Sequence, residues 1–114
     1  LCEIGGASAG ACDGRSLVPF LEGRAELEQK PAYIQYSGNP SYGTIRRAVV
    51  TERYKYIYDS SHAHELYDLE KDPHEMNNVA DDPRYETVLK ELYEACKRFH
   101  QDHQDYFDWE GKRK

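Results

Sequence analysis

From Ala32 onward apolar and polar residues alternate with a period of two, and beyond Asp82 the period lengthens to between three and four. These are the periods of a half-buried strand and of an amphipathic helix. Ala32 to Ser37 (AYIQYS) predicts a first strand, rich in residues that favour a pleated surface. Thr44 to Thr51 (TIRRAVVT), Tyr54 to Asp59 (YKYIYD) and Glu65 to Leu69 (ELYDL) predict three more. Gly38-Asn39-Pro40-Ser41 is a dense turn signal, and Ser60 to Ala63 forms another turn. Glu52-Arg53 suffices for a two-residue connection, although it lacks Asn-Gly hairpin chemistry. Parallel neighbours need crossovers of about a dozen residues, so strands spaced this closely predict an antiparallel meander.

Asp82 is a good N-cap, Pro83 suits a first helical position, and Asp81 and Asp82 suit the positive end of a helix dipole. Tyr85, Val88, Leu89, Leu92, Cys96, Phe99 and His103 then form one stripe, with Lys90, Glu91, Glu94, Lys97 and Arg98 mostly elsewhere. Such a helix finds its partner in one face of the sheet. The expected fold is therefore α+β: a four-stranded antiparallel meander with one long C-terminal helix packed on one face. Tyr54, Tyr56 and Tyr58 share a face. They read either as a stacking platform for sugars or bases or, in preference, as the buried face under that helix. Leu1 to Gly14 reads as a loop or the end of an element, and Ser16 to Leu21 as a single turn or an extended clip tucked against a core. Glu22 to Lys30 is a charged surface connection that ends at Pro31.

A chain of 114 residues makes one small domain, able to bury about two-thirds of its unfolded surface. Ten tyrosines against three phenylalanines and one tryptophan give a core of amphipathic rings, suited to a layer that packs on something else. The chain opens on Leu1 without a charged-then-apolar leader and reads as part of a longer protein. No apolar run approaches the roughly 20 residues that span a bilayer, so no membrane partner is expected. A net charge of −6 argues against general nucleic-acid binding. Arg46, Arg47, Arg53 and Lys55 nevertheless make the middle locally basic, which leaves room for a small anion. Cys2, Cys12 and Cys96 are odd in number and form no CxxC pair; a Cys2–Cys12 bridge stays open, and Cys96 reads as a small apolar residue on a helix face.

The run from Arg46 to Ala80, RRAVVTERYKYIYDSSHAHELYDLEKDPHEMNNVA, resembles the closing signature of the sulfatase family: an Arg-containing strand, a TERYKYI strand, then ELYDLxxDPxExxNxA. Upstream, Asp13 to Pro19 (DGRSLVP) resembles that family's DGRSLxP stretch. The resemblance implies a carboxy-terminal subdomain over residues 32–114, with residues 1–31 leading out of a catalytic domain that lies elsewhere. It implies sulfate-ester hydrolysis by the parent, using a formylglycine made within a Cys/Ser-x-Pro-x-Arg motif and a calcium ion held by Asp and Asn. Cys2 is followed by Glu-Ile-Gly and Cys12 by Asp-Gly-Arg, so neither fits that motif, and capping accounts for Asp81-Asp82. Calcium and formylglycine are thus implied for the parent, with no cofactor and no catalytic residue expected in this chain. The implied partners are the parent's N-terminal catalytic domain and a sulfated small molecule or carbohydrate. A related phosphonate or phosphodiester hydrolase of the alkaline-phosphatase-like superfamily stays open. Family members are often exported, but the compartment of this one is unknown.

Four residues stand out as candidate substrate contacts. Arg46 and Arg47, adjacent on a strand, point to opposite faces; one could meet a sulfate or carboxylate bidentately, or both could be solvated or paired with acidic residues of Glu65–Asp82. His62 and His64, two apart, fall short of a structural zinc site. They read as solvated loop residues, or, on the resemblance, as residues at a pocket edge. Within Glu65–Asn78, Leu66 and Leu69 anchor a strand, Asp72-Pro73 breaks it, and Glu75, Asn77 and Asn78 are expected to bond backbone donors. His100, His103, Tyr106, Phe107 and Trp109 are expected to pack onto the missing domain, and the tail from Gly111 to Lys114 to be mobile. The expected function is a sulfatase C-terminal fragment that completes the fold and rims the substrate pocket, not catalytic alone. The alternatives are an autonomous sulfated-carbohydrate or anion-binding module using Arg46, Arg47 and the tyrosine stripe, and a domain that homodimerises through a sheet face when isolated.

Overall fold

Four strands leave the chain in the order in which they lie side by side: β1 (Ala32–Tyr36), β2 (Arg46–Val50), β3 (Tyr54–Asp59) and β4 (Glu65–Asp68), all antiparallel. The computed structural model describes residues 1–8, 10–12, 14–26, 30–38, 45–60, 62–105 and 109. The expected meander is present, and β3 has the predicted bounds. Asp13, the Gly38–Ser41 turn beyond its first residue, Thr44, Ser61, Tyr106, Phe107 and the tail from Gly111 lie outside the described residues. The β2–β3 hairpin does turn on Glu52-Arg53, and Thr51 does the work of the missing Asn-Gly pair. Its amide donates to the Tyr54 carbonyl (2.8 Å), while its hydroxyl accepts from the Tyr54 amide (2.9 Å). At the far edge of β4 the chain returns: the Leu66 amide donates to Asn78 Oδ1 (2.9 Å) and the Val79 amide to the Leu66 carbonyl (2.9 Å).

One face of the sheet carries helix α2 (Glu86–Asp102). The Asp82-Pro83 signal opens a single 3-10 turn, Pro83–Tyr85, that leads into the helix; the Asp82 carboxylate accepts the Arg84 amide at 3.0 Å. Val49, Tyr56 and Leu66 are fully buried and pack with Ile45, Tyr58, Leu92 and Cys96. Each such side chain contributes about 1.5–3 kcal/mol through its removal from water. The tyrosine stripe is therefore core, as preferred.

Two expectations about the helix end need correction. The buried residue of the last turn is His100, which continues the Leu92–Cys96 row, and not His103. His103 is exposed and stacks on Phe99 (ring centroids 3.9 Å), which in turn stacks on Tyr33 (4.0 Å). Trp109, expected to pack away from this chain, stacks on Tyr58 at 4.3 Å and takes the Tyr58 hydroxyl on its carbonyl at 2.5 Å.

Ahead of the sheet, α1 (Val18–Leu21) is the single turn expected after Ser16. It ends in a Schellman arrangement, with the Arg24 amide on the Pro19 carbonyl and Gly23 at φ +67. It does not tuck into the core: Leu17, Phe20 and Leu21 are all exposed. No helix among the described residues is long and apolar enough to cross a membrane.

Candidate functional site

Adjacent strand residues must face opposite sides, and Arg46 and Arg47 do so with different consequences. Arg47 points to the helix side, where it is 3% exposed. Its Nε and Nη2 donate to the two carboxylate oxygens of Asp105 at 2.6 and 3.0 Å, and Nη1 donates to the carbonyls of Tyr36 (2.9 Å) and Arg46 (2.7 Å). Gln35 Nε2 donates to Asp105 Oδ2 at 3.1 Å, and His100 Nδ1 lies 3.4 Å from the same oxygen. Arg47 is thus built into a buried joint between β2 and the turn after α2.

Arg46 projects on the other face of the sheet with its side chain 45% exposed. Its Nε donates to Asp59 Oδ2 at 2.6 Å, and His62 Nδ1 lies 3.3 Å from Asp59 Oδ1. Arg46 and His62 are therefore brought together on one buried carboxylate, with His62 68% exposed. Asp59 was not singled out from the sequence. Yet a hairpin turning on residues 52 and 53 pairs Arg46 directly with Asp59, so the signal was in the register.

His64 separates from His62. Its Nδ1 shares a 2.8 Å hydrogen bond with the Tyr56 hydroxyl, and its ring stacks on Tyr93 and meets Tyr56 and Tyr58 edge-on. Burial pushes the Tyr56 phenol well above its ordinary value, and burial likewise pushes the Cys96 thiol up to about 12. A third group lies where the β2–β3 turn meets the end of β4: Arg53 Nη2 donates to Asp68 Oδ2 at 3.1 Å. That bond holds the Asp68 carboxyl below the usual range.

The ELYDLEKDPHEMNN segment is a structural device. Asn78 Oδ1 accepts the amides of Leu66 (2.9 Å) and Ala80 (3.0 Å), and its Nδ2 donates to the His64 carbonyl (3.1 Å). The carboxylate that caps the turn belongs to Asp72, which accepts the Asn77 amide at 2.7 Å, and not to Glu75 as expected. Glu75 adopts φ 55 and pairs with Lys55 Nζ at 2.6 Å, a cation on the neighbouring strand that the turn brings within reach.

These donors do not fit a calcium ion or a formylglycine. Asp59, Asp68 and Asp105 each face a cation of this chain, and among the described residues no three His, Cys, Asp or Glu side chains gather as a metal site. Cys2 and Cys12 are exposed thiols outside the required motif.

Residues 2–102 match the family of N-sulphoglucosamine sulphohydrolase, C-terminal. The Delta 4,5-hexuronate-2-O-sulfatase of Bacteroides thetaiotaomicron is 36% identical over 96 residues, which are 80% of this chain and 20% of that protein. The multifunctional alkaline phosphatase superfamily protein PehA of Trinickia caryophylli is 29% identical over 116 residues, 90% of this chain and 23% of its own. A solved 2-O GAG sulfatase superposes with a TM-score of 0.80 at 28% identity, over 93% of this chain and 24% of that one. The chain thus spans about a fifth to a quarter of the length of the relatives it matches.

Proposed function

Because the chain belongs to the sulfatase family, as its N-sulphoglucosamine sulphohydrolase C-terminal domain, we propose that it closes the catalytic domain of a larger sulfatase and sets Arg46 and His62 at the rim of that enzyme's substrate pocket. On this reading residues 1–31 lead out of the catalytic domain and residues 32–114 form the subdomain. The observation that carries it is the Asp59 carboxylate held between Arg46 and His62. That carboxylate fixes an exposed guanidinium and an exposed imidazole side by side, a pairing suited to an anionic ester. Arg47 and His64 serve the same rim from behind, by holding β2 and the start of β4 in place. Sulfated carbohydrate is the favoured substrate class, in keeping with the names of two relatives. Formylglycine and calcium would be supplied by the parent's amino-terminal part, and supply there the nucleophile and the sulfate-binding charge.

The test is made in the parent enzyme. Arg46→Ala and His62→Ala should each raise KM for a sulfated sugar; His62→Ala should leave the unfolding temperature nearly unchanged, whereas Arg46→Ala should also lower it, because it leaves the buried Asp59 carboxylate without its guanidinium. An unchanged KM for both variants overturns the rim role. Isolated, the 114-residue chain should not hydrolyse an aryl sulfate. Saturable binding of sulfated sugars by that isolated chain would favour the autonomous module instead.

A further inference from the structure

The chain is acidic, with a net charge of −6, yet three cations from three separate segments line one small cavity. Arg53 comes from the β2–β3 turn, Lys71 from the turn after β4, and Arg84 from the 3-10 turn ahead of α2. Tyr54, Tyr85 and Val88 complete the lining. The cavity lies at the opposite end of β3 from Asp59 and has a volume of about 240 Å³. Pockets for drug-sized ligands run from about 300 to 1,000 Å³, so this one suits a small ionic group.

Carboxylates and rings hold these cations in place. Asp68, 3% exposed, accepts from Arg53 Nη2 at 3.1 Å and Nε at 3.3 Å, lies 3.5 Å from Lys71 Nζ, and takes the Tyr85 hydroxyl at 3.4 Å. Lys71 Nζ donates to that hydroxyl at 3.1 Å, and Asp82 binds Arg84 through Nε at 3.0 Å and Nη2 at 2.6 Å. Arg53 also lies over the Tyr54 ring, 5.0 Å from its centroid, and Lys71 over the Tyr85 ring at 5.4 Å. Among the described residues no bond takes Nη1 of either guanidinium. Both N–H groups of each Nη1 thus stay available on side chains whose orientation is already fixed. The remaining carboxylate nearby is Glu70, 68% exposed and 3.2 Å from Arg53 Nε. An exposed pair of that kind contributes little, so an incoming anion displaces it readily.

We propose that the cavity between Arg53, Lys71 and Arg84 binds a tetrahedral oxyanion, sulfate or phosphate, either as the free ion or carried on a sugar. Two planar guanidiniums pinned by carboxylates match such an anion through paired N–H donors, and the ammonium adds a third charge from another side. The anion also relieves the mutual repulsion of three cations gathered around one space. Neither the sheet end that carries Arg46 nor any hydrolytic step enters this proposal.

The experiment is acetylation of lysines in the parent enzyme by an activated acetyl ester, mapped by mass spectrometry, with Lys90 on the exposed side of α2 as the internal reference. The probes are inorganic sulfate, inorganic phosphate and a sulfated disaccharide, each against sodium chloride of the same ionic strength. With an anion at about twice its dissociation constant, Lys71 should react about threefold more slowly while Lys90 is unchanged. Arg84→Gln, at a side chain 82% exposed, should keep the unfolding temperature and lose the protection. Protection by the disaccharide at lower concentration than by inorganic sulfate supports a sugar-borne group, and the reverse order supports the free ion. Equal slowing by chloride, slowing that never saturates, protection that survives Arg84→Gln, or a Lys71 that the parent keeps from reacting at all overturns the proposal. Labelling does not involve hydrolysis, so a parent inactive on every sulfate ester leaves this result standing.

Discussion

Arg47 on β2 and Asp105 beyond α2, 58 residues apart in sequence, form a two-point ion pair of 2.6 and 3.0 Å in which both partners are almost wholly buried. Removing one partner strands a charge in the interior, at a cost of about 3–5 kcal/mol. Arg47→Ala should therefore lose most of the fold's margin in urea unfolding. Arg47→Met combined with Asp105→Leu removes both charges and should be much milder. Equal losses from the single and double variants would show that packing, not the pair, matters there.

Asn78 replaces a strand at the edge of β4 with a single side chain. Asn78→Ala leaves the buried Leu66 residue with an unanswered amide and should destabilise by about 1–3 kcal/mol. Asn78→Asp keeps the acceptor but gives up the bond to the His64 carbonyl, and should fall between the two in denaturant titration.

Acid should unfold the chain through a small set of aspartates. Hydrogen bonds from Arg84 hold Asp82 at about 2; Arg53 lowers Asp68, and the Asn77 and Met76 amides lower Asp72. Each folded value lies below the unfolded one of about 3.9, so the stabilisation is complete above about pH 4 and is lost as pH falls toward 2. Urea midpoints should be level near neutrality and drop across that window. Asp82→Asn should flatten the lowest part of the profile.

Burial raises the Cys96 thiol to about 12, and the thiolate is the reactive form. Iodoacetamide at about pH 8 should modify Cys2 and Cys12 in the folded chain and reach Cys96 only in denaturant. Modification of Cys96 at the rate of the other two, in the native protein, would contradict its place beside Leu92 and Tyr56.

The meander, the helix and the buried tyrosine stripe were legible because each rests on a local period. The Arg46–Asp59 contact was legible too, through the register of the hairpin. Arg47 was different. Its partner lies past the end of α2, and nothing periodic says where that turn folds back. The placing of His103 instead of His100 on the buried stripe failed for a related reason: at 3.6 residues per turn a stripe drifts, and the last turn is settled by what it meets, here Trp109 and Asp105. The capping role expected of Glu75 falls to Asp72, because Lys55 on the neighbouring strand draws the Glu75 carboxylate away from the turn.

The Arg47–Asp105 pair also bears on where this domain stops. The family match closes at residue 102, three positions before the carboxylate that neutralises Arg47 and seven before the ring that covers Tyr58. A truncation made at that boundary would delete a counter-ion from the interior, not a frayed end. The smallest unit worth expressing therefore runs through Trp109.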